Sequence, residues 1–367
     1  MAGSGEPPTG AGTGAGTGAG PAGGPPVTPP TGARRPVTVV SVSAALRAQF
    51  FPDRVGDRLA ATTDATLVDD HAALTGVDLA SVLARAEVLV TSWGVPRLDA
   101  ALLDRAPALR LVAHTGASVK PFVTAELFAR GVTVTQAGQG MARSVAEVAL
   151  TFTLALLHQT PRFDHALHAG TEWHRAEQAP PRHEILGCPV GVVGASRTGR
   201  AYLELVRALG AEVSVCDPTL TPADAARLGA RLVGLDELLA GSRIVALHAP
   251  TLPETRHLLG ARELALLPDG AGLVNTARSW LVDEAALVAE LTRGRIDAAL
   301  DVFDEEPLPT GHPLRALPNV LLTPHQAAGT VQGRRRQGEI VVDEIVRYAS
   351  GRPLAHAVTP ELLARTG

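Results

Sequence analysis

From Val37 onward, short apolar runs alternate with stretches whose apolar positions recur at helical spacing. Runs at 37–42, 88–91, 109–113 and 132–135 predict strands, and 79–86 and 98–106 between them predict amphipathic helices. Repetition of this kind gives a parallel sheet covered by helices on both faces. Residues 145–158 (VAEVALTFTLALLH) are apolar nearly all round, which predicts a buried helix packed between domains or subunits. A second βα series opens at Val190 and closes at His325, with further buried strands at 212–216, 271–275, 298–303 and 320–323. After it, 340–350 carries one apolar stripe and stops at Gly351 and Pro353. That helix is too short to be a domain, so it is expected to return and pack on the first one.

Composition narrows the class. The 367 residues, 46% apolar and 19% charged, suit two domains with real cores. A net charge of −4 gives no footprint for nucleic acid or a membrane surface. No uninterrupted apolar run of about 20 residues occurs, so no membrane span is expected. Two cysteines, Cys188 and Cys216, do not make a disulfide framework and point to a reducing, cytoplasmic setting. Residues 1–36 are dominated by Gly, Pro, Thr and Ala and do not offset their ordering entropy, so they are expected to form a flexible tail. They lack the basic start and apolar stretch of a secretory signal.

The second series opens on residues 190–199 (VGVVGASRTG), read as strand, tight turn, then a helix over 200–209. Gly194 permits the sharp turn and Gly199 lets the helix pack close to the strand. The middle position of the usual G-x-G-x-x-G is Ser196, a small residue that adds a hydroxyl, and Arg197 and Thr198 complete the turn. Two glycines five apart mean little in a chain with 37 of them. Asp217 changes this: it ends the next strand, 18 residues beyond Gly199, near the interval expected for the acid that bonds the adenosine ribose. A carboxylate there repels a 2′-phosphate, which favours NAD over NADP; the alternative is a turn residue before Pro218.

Arg278, Glu306 and His325 each follow one of the apolar runs of this second series. In an open α/β sheet, ligands bind beyond the carboxyl ends of the strands. A 2-oxo acid needs a cation for its carboxylate, which a planar guanidinium binds bidentately. It also needs a group that exchanges a proton near neutrality, which is histidine. A carboxylate beside the imidazole fixes its tautomer. Taken singly, His325 reads as a structural histidine, Arg278 as a surface arginine and Glu306 as part of a solvated acidic loop. Together, in order at strand ends, they read as an enzyme site. Asp283-Glu284 reads instead as a helix start with Asp283 as N-cap.

Between 187 and 325 the sequence resembles the D-isomer-specific 2-hydroxyacid dehydrogenases. The similarity is carried by VGVVGASRTGR, Asp217-Pro218, LPETRHLLG at 252–260, VNTARSWLVDEAAL at 274–287, ALDVFDEEPLP at 299–309 and NVLLTPH at 319–325, with weaker similarity at 111–120 and 144–150. The resemblance implies an α/β protein of two Rossmann-like, doubly wound parallel-sheet domains with a cleft between them. A flavodoxin-like substrate domain would comprise 37–143 and 327–367, and an NAD-binding Rossmann domain 144–326. It implies that Arg278 holds the substrate carboxylate, that His325 is the acid/base and that Glu306 orients it. Thr276, Ala277 and Asp301 would lie at the nicotinamide end of NAD, and backbone N–H groups of Gly116, Ala117 and Ser118 would meet the substrate carboxylate. A homodimer through 145–158 is expected.

Departures from the pattern bear on the substrate. The glycine usual after the arginine is Ser279, strained if that position needs positive φ, and Trp280 follows, either walling the site or packing in the core. The usual R-x-G-x-G-x-D reads HTGASVK at 114–120. Relatives that accept phosphoglycerate usually carry arginines at the His114 position and in the loop that here reads Thr91-Ser92-Trp93-Gly94. Both are absent and no regulatory domain follows residue 367, so phosphoglycerate is disfavoured, although Lys120 is a basic group nearby. Glu306 argues against the related formate dehydrogenases. The expected activity is hydride transfer between NAD(H) and C2 of a small D-2-hydroxy acid or its 2-oxo acid, such as glyoxylate or hydroxypyruvate. The competing expectation is an NAD(H)-sensing scaffold that binds proteins, as the corepressor-like relatives do.

Overall fold

Buried runs of four or five residues, rich in Val, Leu and Ala, build two parallel sheets in the computed structural model, which describes residues 34–365. The first sheet is laid down by β1 (Val37–Ser41), β2 (Asp64–Val68), β3 (Val88–Thr91), β4 (Leu111–His114) and β5 (Thr133–Gln136). The second follows with β6 (Pro189–Val193), β7 (Glu212–Cys216), β8 (Arg231–Leu232), β9 (Ile244–Leu247), β10 (Gly272–Asn275), β11 (Asp297–Leu300) and β12 (Val320–Leu322). The chain then returns, and β13 (Ala357–Val358) pairs antiparallel with β5. The orders are β13-β5-β4-β3-β1-β2 and β12-β11-β10-β9-β6-β7-β8, and every other pairing is parallel. Each sheet therefore has a switch point where the order reverses: between β1 and β3 in the first, between β6 and β9 in the second.

Strands β3, β4, β9, β10 and β11 are buried along their whole length, as sheets covered on both faces require. Several end sooner than the apolar runs suggest. The run at 298–303 forms a strand only to Leu300 and the run at 320–323 only to Leu322, which frees Asp301 and Thr323 for loops.

The apolar helix is longer than expected and runs Gly138–Leu157. Phe152, Leu156 and Leu157 pack in the core under the second sheet with Val190, Val192 and Ile244. Its earlier part lies against the helix Val331–Ala349, where Ser144 Oγ and Thr330 Oγ1 are 2.6 Å apart. Much of its apolar surface is thus covered within one chain, while Val148, Leu150 and Leu154 stay partly exposed. The helix Val331–Ala349 begins well before the expected 340, because Thr330 caps it by accepting from Gly333 N (3.0 Å). Its inner face there is Gly333, Gln337 and Gly338 rather than an apolar stripe. A Cβ on Gly338 would lie 1.7 Å from Phe50 O, so only glycine permits the approach. Further along, Val341, Val342, Ile345 and Val346 join Val40 and Phe50 in the core of the first sheet.

Of the expected tail, residues 1–33 lie outside the described residues. Its last three are tied down: Arg34 pairs with Glu87, Arg35 donates to Thr63 O (3.1 Å) and Ala60 O (2.7 Å), and Pro36 O accepts from Asp64 N (3.0 Å).

Candidate active site

The loop after β10 carries Thr276, Ala277 and Arg278, and Asn275 holds its shape. Asn275 Nδ2 donates to Arg278 O (2.9 Å) and its Oδ1 accepts from Ala277 N (3.0 Å). Arg278 Nη1 donates to Ala277 O (2.6 Å). Burial pushes the Arg278 guanidinium below its usual range and the nearby Glu306 opposes this. Ser279 is not among the residues with positive φ; it opens the one-turn helix Ser279–Leu281, so no strain is stored there. Trp280 packs against the core of the second sheet, its Nε1 donating to Leu252 O (2.9 Å) with Arg256 over its ring at 5.2 Å.

His325 lies in the left-handed region, with φ of 53°. Its Nδ1 is 2.6 Å from Glu306 Oε2, and Glu306 Oε1 accepts from Phe303 N (3.0 Å). An ionised carboxylate only accepts, so Nδ1 carries the proton and Nε2 is left for other work. The pair is open to solvent, with side chains 46% and 36% exposed. Beneath it, Asp301 is 1% exposed, and its carboxylate accepts from Thr323 Oγ1, Gln326 N (2.9 Å) and Ala327 N (2.9 Å). Asp301 therefore fixes the loop that carries His325, a positioning role that sequence reasoning missed along with the Asn275 clip. The available signal in both cases is a polar residue at the end of a fully buried run.

At the second sheet's switch point, Gly194 has φ of +93°, and a Cβ on it would lie 2.6 Å from Ala249 N. A Cβ on Gly199 would lie 2.2 Å from Gly194 O. Glycine is thus demanded at both positions. Ser196 caps the helix Arg197–Ala208, its Oγ accepting from Gly199 N (3.3 Å). With Thr198 in the first turn, this helix N-terminus presents backbone N–H groups and a partial positive charge, as a phosphate requires. Asp217 Oδ2 accepts from Ala195 N (2.7 Å), and its Oδ1 from Thr219 N (2.8 Å) and Thr219 Oγ1 (2.6 Å). Burial works to raise the Asp217 pKa, but these hydrogen bonds outweigh it and keep the group below the usual carboxylate range. Thr276 Oγ1 is buried without a partner. A turn without room for side chains, a free helix N-terminus, an anionic carboxylate at the next strand's end and an orphaned hydroxyl fit a dinucleotide.

Gly116, Ala117 and Ser118 follow β4 in the first sheet. A Cβ on Gly116 would lie 2.6 Å from His114 Nε2. His114 is buried, its Nδ1 2.9 Å from Thr91 Oγ1 and its Nε2 unpartnered. Burial, with the charge of His71, pushes its pKa down to about 3. Lys120 Nζ donates to Thr251 O (3.1 Å), and a Cβ on Gly138 would lie 3.0 Å from Arg197 Nη2. Both contacts join the carboxyl end of the first sheet to that of the second. No hydrogen bond among the described residues links the 116–118 loop to Arg278 or His325.

The family model described as D-isomer specific 2-hydroxyacid dehydrogenase, NAD binding domain, matches residues 150–327. The D-3-phosphoglycerate dehydrogenase of Mycobacterium tuberculosis (strain ATCC 25618 / H37Rv) is 38% identical over 312 residues, covering 83% of this chain and 58% of that protein. The chain thus spans little more than half the length of that relative. The glyoxylate reductase of Aeropyrum pernix is 34% identical over 272 residues, covering 73% of this chain and 81% of its own. Among solved structures, the TT0316 protein from Thermus thermophilus superposes with a TM-score of 0.72 at 31% identity, covering 88% of this chain and 99% of that one.

Proposed function

The chain belongs to the D-isomer-specific 2-hydroxyacid dehydrogenase family, and from that premise we propose that it interconverts a small D-2-hydroxy acid and its 2-oxo acid. The observation that carries the reading is the 2.6 Å contact between His325 Nδ1 and Glu306 Oε2, with Arg278 close enough for the same carboxylate to act on its charge. NAD(H), when bound, supplies or takes up the hydride at C2. Arg278 holds the substrate carboxylate in a bidentate pair, assisted by the N–H groups of Gly116, Ala117 and Ser118. In reduction, His325 gives its Nε2 proton to the C2 oxygen; in oxidation, Nε2 takes that proton back. Glu306 keeps Nδ1 protonated in both directions and stabilises the imidazolium. Asp301 holds the His325 loop in place beneath the nicotinamide end of the site, beside Thr276 and Ala277.

The turn at Gly194, Ser196, Arg197, Thr198 and Gly199 cradles the pyrophosphate, and Asp217 disfavours a 2′-phosphate, so NAD is used rather than NADP. The two sheets with their helices act as the substrate unit (37–143 and 327–367) and the cofactor unit (144–326). A homodimer in a reducing cytosol completes the proposal. Cys188 and Cys216 are both free, and Leu167, Trp173 and Leu186 leave large apolar surface exposed just beyond the helix Gly138–Leu157.

The test is a panel of 2-oxo acids, with glyoxylate, hydroxypyruvate and pyruvate among them, mixed with protein and NADH and followed by the loss of nicotinamide absorbance. NADH binding without oxidation of any member would refute the enzyme reading in favour of a sensing scaffold. A monomer mass by light scattering would refute the dimer.

A further inference from the structure

We propose that Arg334 sets the substrate class of this site by holding a second anionic group, a carboxylate or phosphate, at the end of the 2-oxo acid remote from C1. The inference rests on the dehydrogenase reading and goes beyond it. Arg334 and Gln337 lie three residues apart on the helix Val331–Ala349, and so on one face. Gln337 Nε2 donates to Thr115 O (2.7 Å), which anchors that face to the residue before the Gly116–Ser118 loop. The Arg334 guanidinium lies over a pair of packed rings, 4.5 Å from the centre of Trp93 and 5.2 Å from that of Phe50, which are themselves 5.7 Å apart. Trp93 follows β3 at the switch point of the first sheet, where open α/β sheets take ligands. Its Nε1 is 3.2 Å from where a Cβ on Gly116 would stand, so the stack adjoins the loop assigned to the substrate carboxylate.

What the stack leaves unsatisfied points to a ligand. The paired rings lie against one side of the guanidinium and supply no carboxylate or carbonyl oxygen to its N–H bonds. Arg334 Nε and Nη1 are buried and have no hydrogen-bond partner. Among the described residues no carboxylate lies within ion-pair distance of it. His114 Nε2, Thr115 Oγ1 and Gln337 Oε1, all on buried residues gathered around the same loop, are also unpartnered. A half-buried cation with idle donors is costly unless something anionic completes it. The sequence lacks an arginine in the loop 91–94 and at position 114; the fold brings a guanidinium to that loop from a different element.

The test is calorimetric titration of the NAD⁺-loaded protein, in which a 2-oxo acid binds without being reduced. The probes are pyruvate, oxaloacetate and 3-phosphohydroxypyruvate. The wild type should bind at least one of the two charged-tail acids roughly 10- to 100-fold tighter than pyruvate, the size of a charge-assisted hydrogen-bonded pair. Which tail is favoured identifies the source of the anion. R334M should erase most of that preference, and R334K should keep part of it. Equal affinity of the wild type for all three acids, or an equal loss for all three in R334M, would overturn the proposal. If R334M does not fold, R334K and added salt decide: a preference indifferent to both overturns it as well. The readout is binding, so a protein that discriminates yet never oxidises NADH would sink the dehydrogenase reading and leave this one standing.

Discussion

Replacing Glu306 by Gln keeps the shape of the side chain but gives it one acceptor where there were two. Two donors compete for it: Phe303 N–H at 3.0 Å and His325 Nδ1–H at 2.6 Å. Phe303 is buried, and leaving its N–H opposite an amide donor costs about 1–3 kcal/mol. The amide oxygen therefore turns to Phe303 and the NH₂ to His325. The imidazole answers by shifting its proton to Nε2 so that Nδ1 can accept, which removes the base that oxidation needs. At 1.4 kcal/mol per tenfold, the working tautomer falls by roughly 5- to 150-fold. The lost charge adds little, since both side chains are more than a third exposed: up to about 1 kcal/mol, or roughly fivefold. Together kcat for oxidation should fall roughly 5- to 750-fold, with NADH affinity unchanged. Steady-state rates of 2-hydroxy acid oxidation at saturating NAD⁺, the direction that needs the base, with a fluorescence titration for NADH binding, check both parts. A fall of less than about fivefold, at unchanged NADH affinity, would show that Glu306 does not control the tautomer.

Three further outcomes follow from other parts of the structure. D301N leaves one of three loop donors facing an amide NH₂ and should lower unfolding free energy by about 1–3 kcal/mol and reduce kcat; an unchanged denaturant midpoint would contradict the buttress role. G199A drives a Cβ onto Gly194 O and should cost about 1–3 kcal/mol and weaken NADH binding, measured by thermal melting and titration; wild-type values in both would show that the turn yields freely. His114 and His248 are buried, with pKa values pushed down to about 3, so the unfolded chain takes up protons that the folded chain refuses. The stability they protect is full above pH 6.5 and is lost as pH falls toward 3, by up to about 1.4 kcal/mol per pH unit for each. Denaturant midpoints across that range should fall less steeply in H248Q than in the wild type, and parallel curves would refute the assignment.

Much of the architecture is legible in the chain because buried parallel strands are written as short unbroken apolar runs. β3, β7 and β10 fall within a residue of where periodicity places them. β2 escapes because it is an edge strand: Asp64–Val68 buries little but Val68, so no run marks it. The front half of the helix Val331–Ala349 escapes because its inner face is glycine and glutamine, and close backbone approach leaves no hydrophobic trace. In the site, Arg278, Glu306 and His325 are readable as chemistry at strand ends. Asn275 and Asp301 act through hydrogen bonds to loops, so the Asn275 clip and the loop-holding role of Asp301, unlike the nicotinamide-end place that the resemblance gives Asp301, show only once those loops are seen. Arg334 is hidden most thoroughly, inside an Arg-Arg-Arg run whose neighbours Arg335 and Arg336 face other partners.

The side-by-side passage of the helices Gly138–Leu157 and Val331–Ala349, pinned at Ser144 and Thr330, sets what kind of motion the molecule permits. Two adjacent struts let one half swing about the line between them while resisting sliding. His325 is five residues from that pin, so it rides close to the pivot and its path is short. Trp93 and the 116–118 loop belong to the other leaf of the hinge. Arg334 is four residues from the same pin, so a swing would move the tail-gripping guanidinium and the imidazole along similarly short paths and would keep the spacing between the two ends of a substrate nearly fixed as the leaves come together.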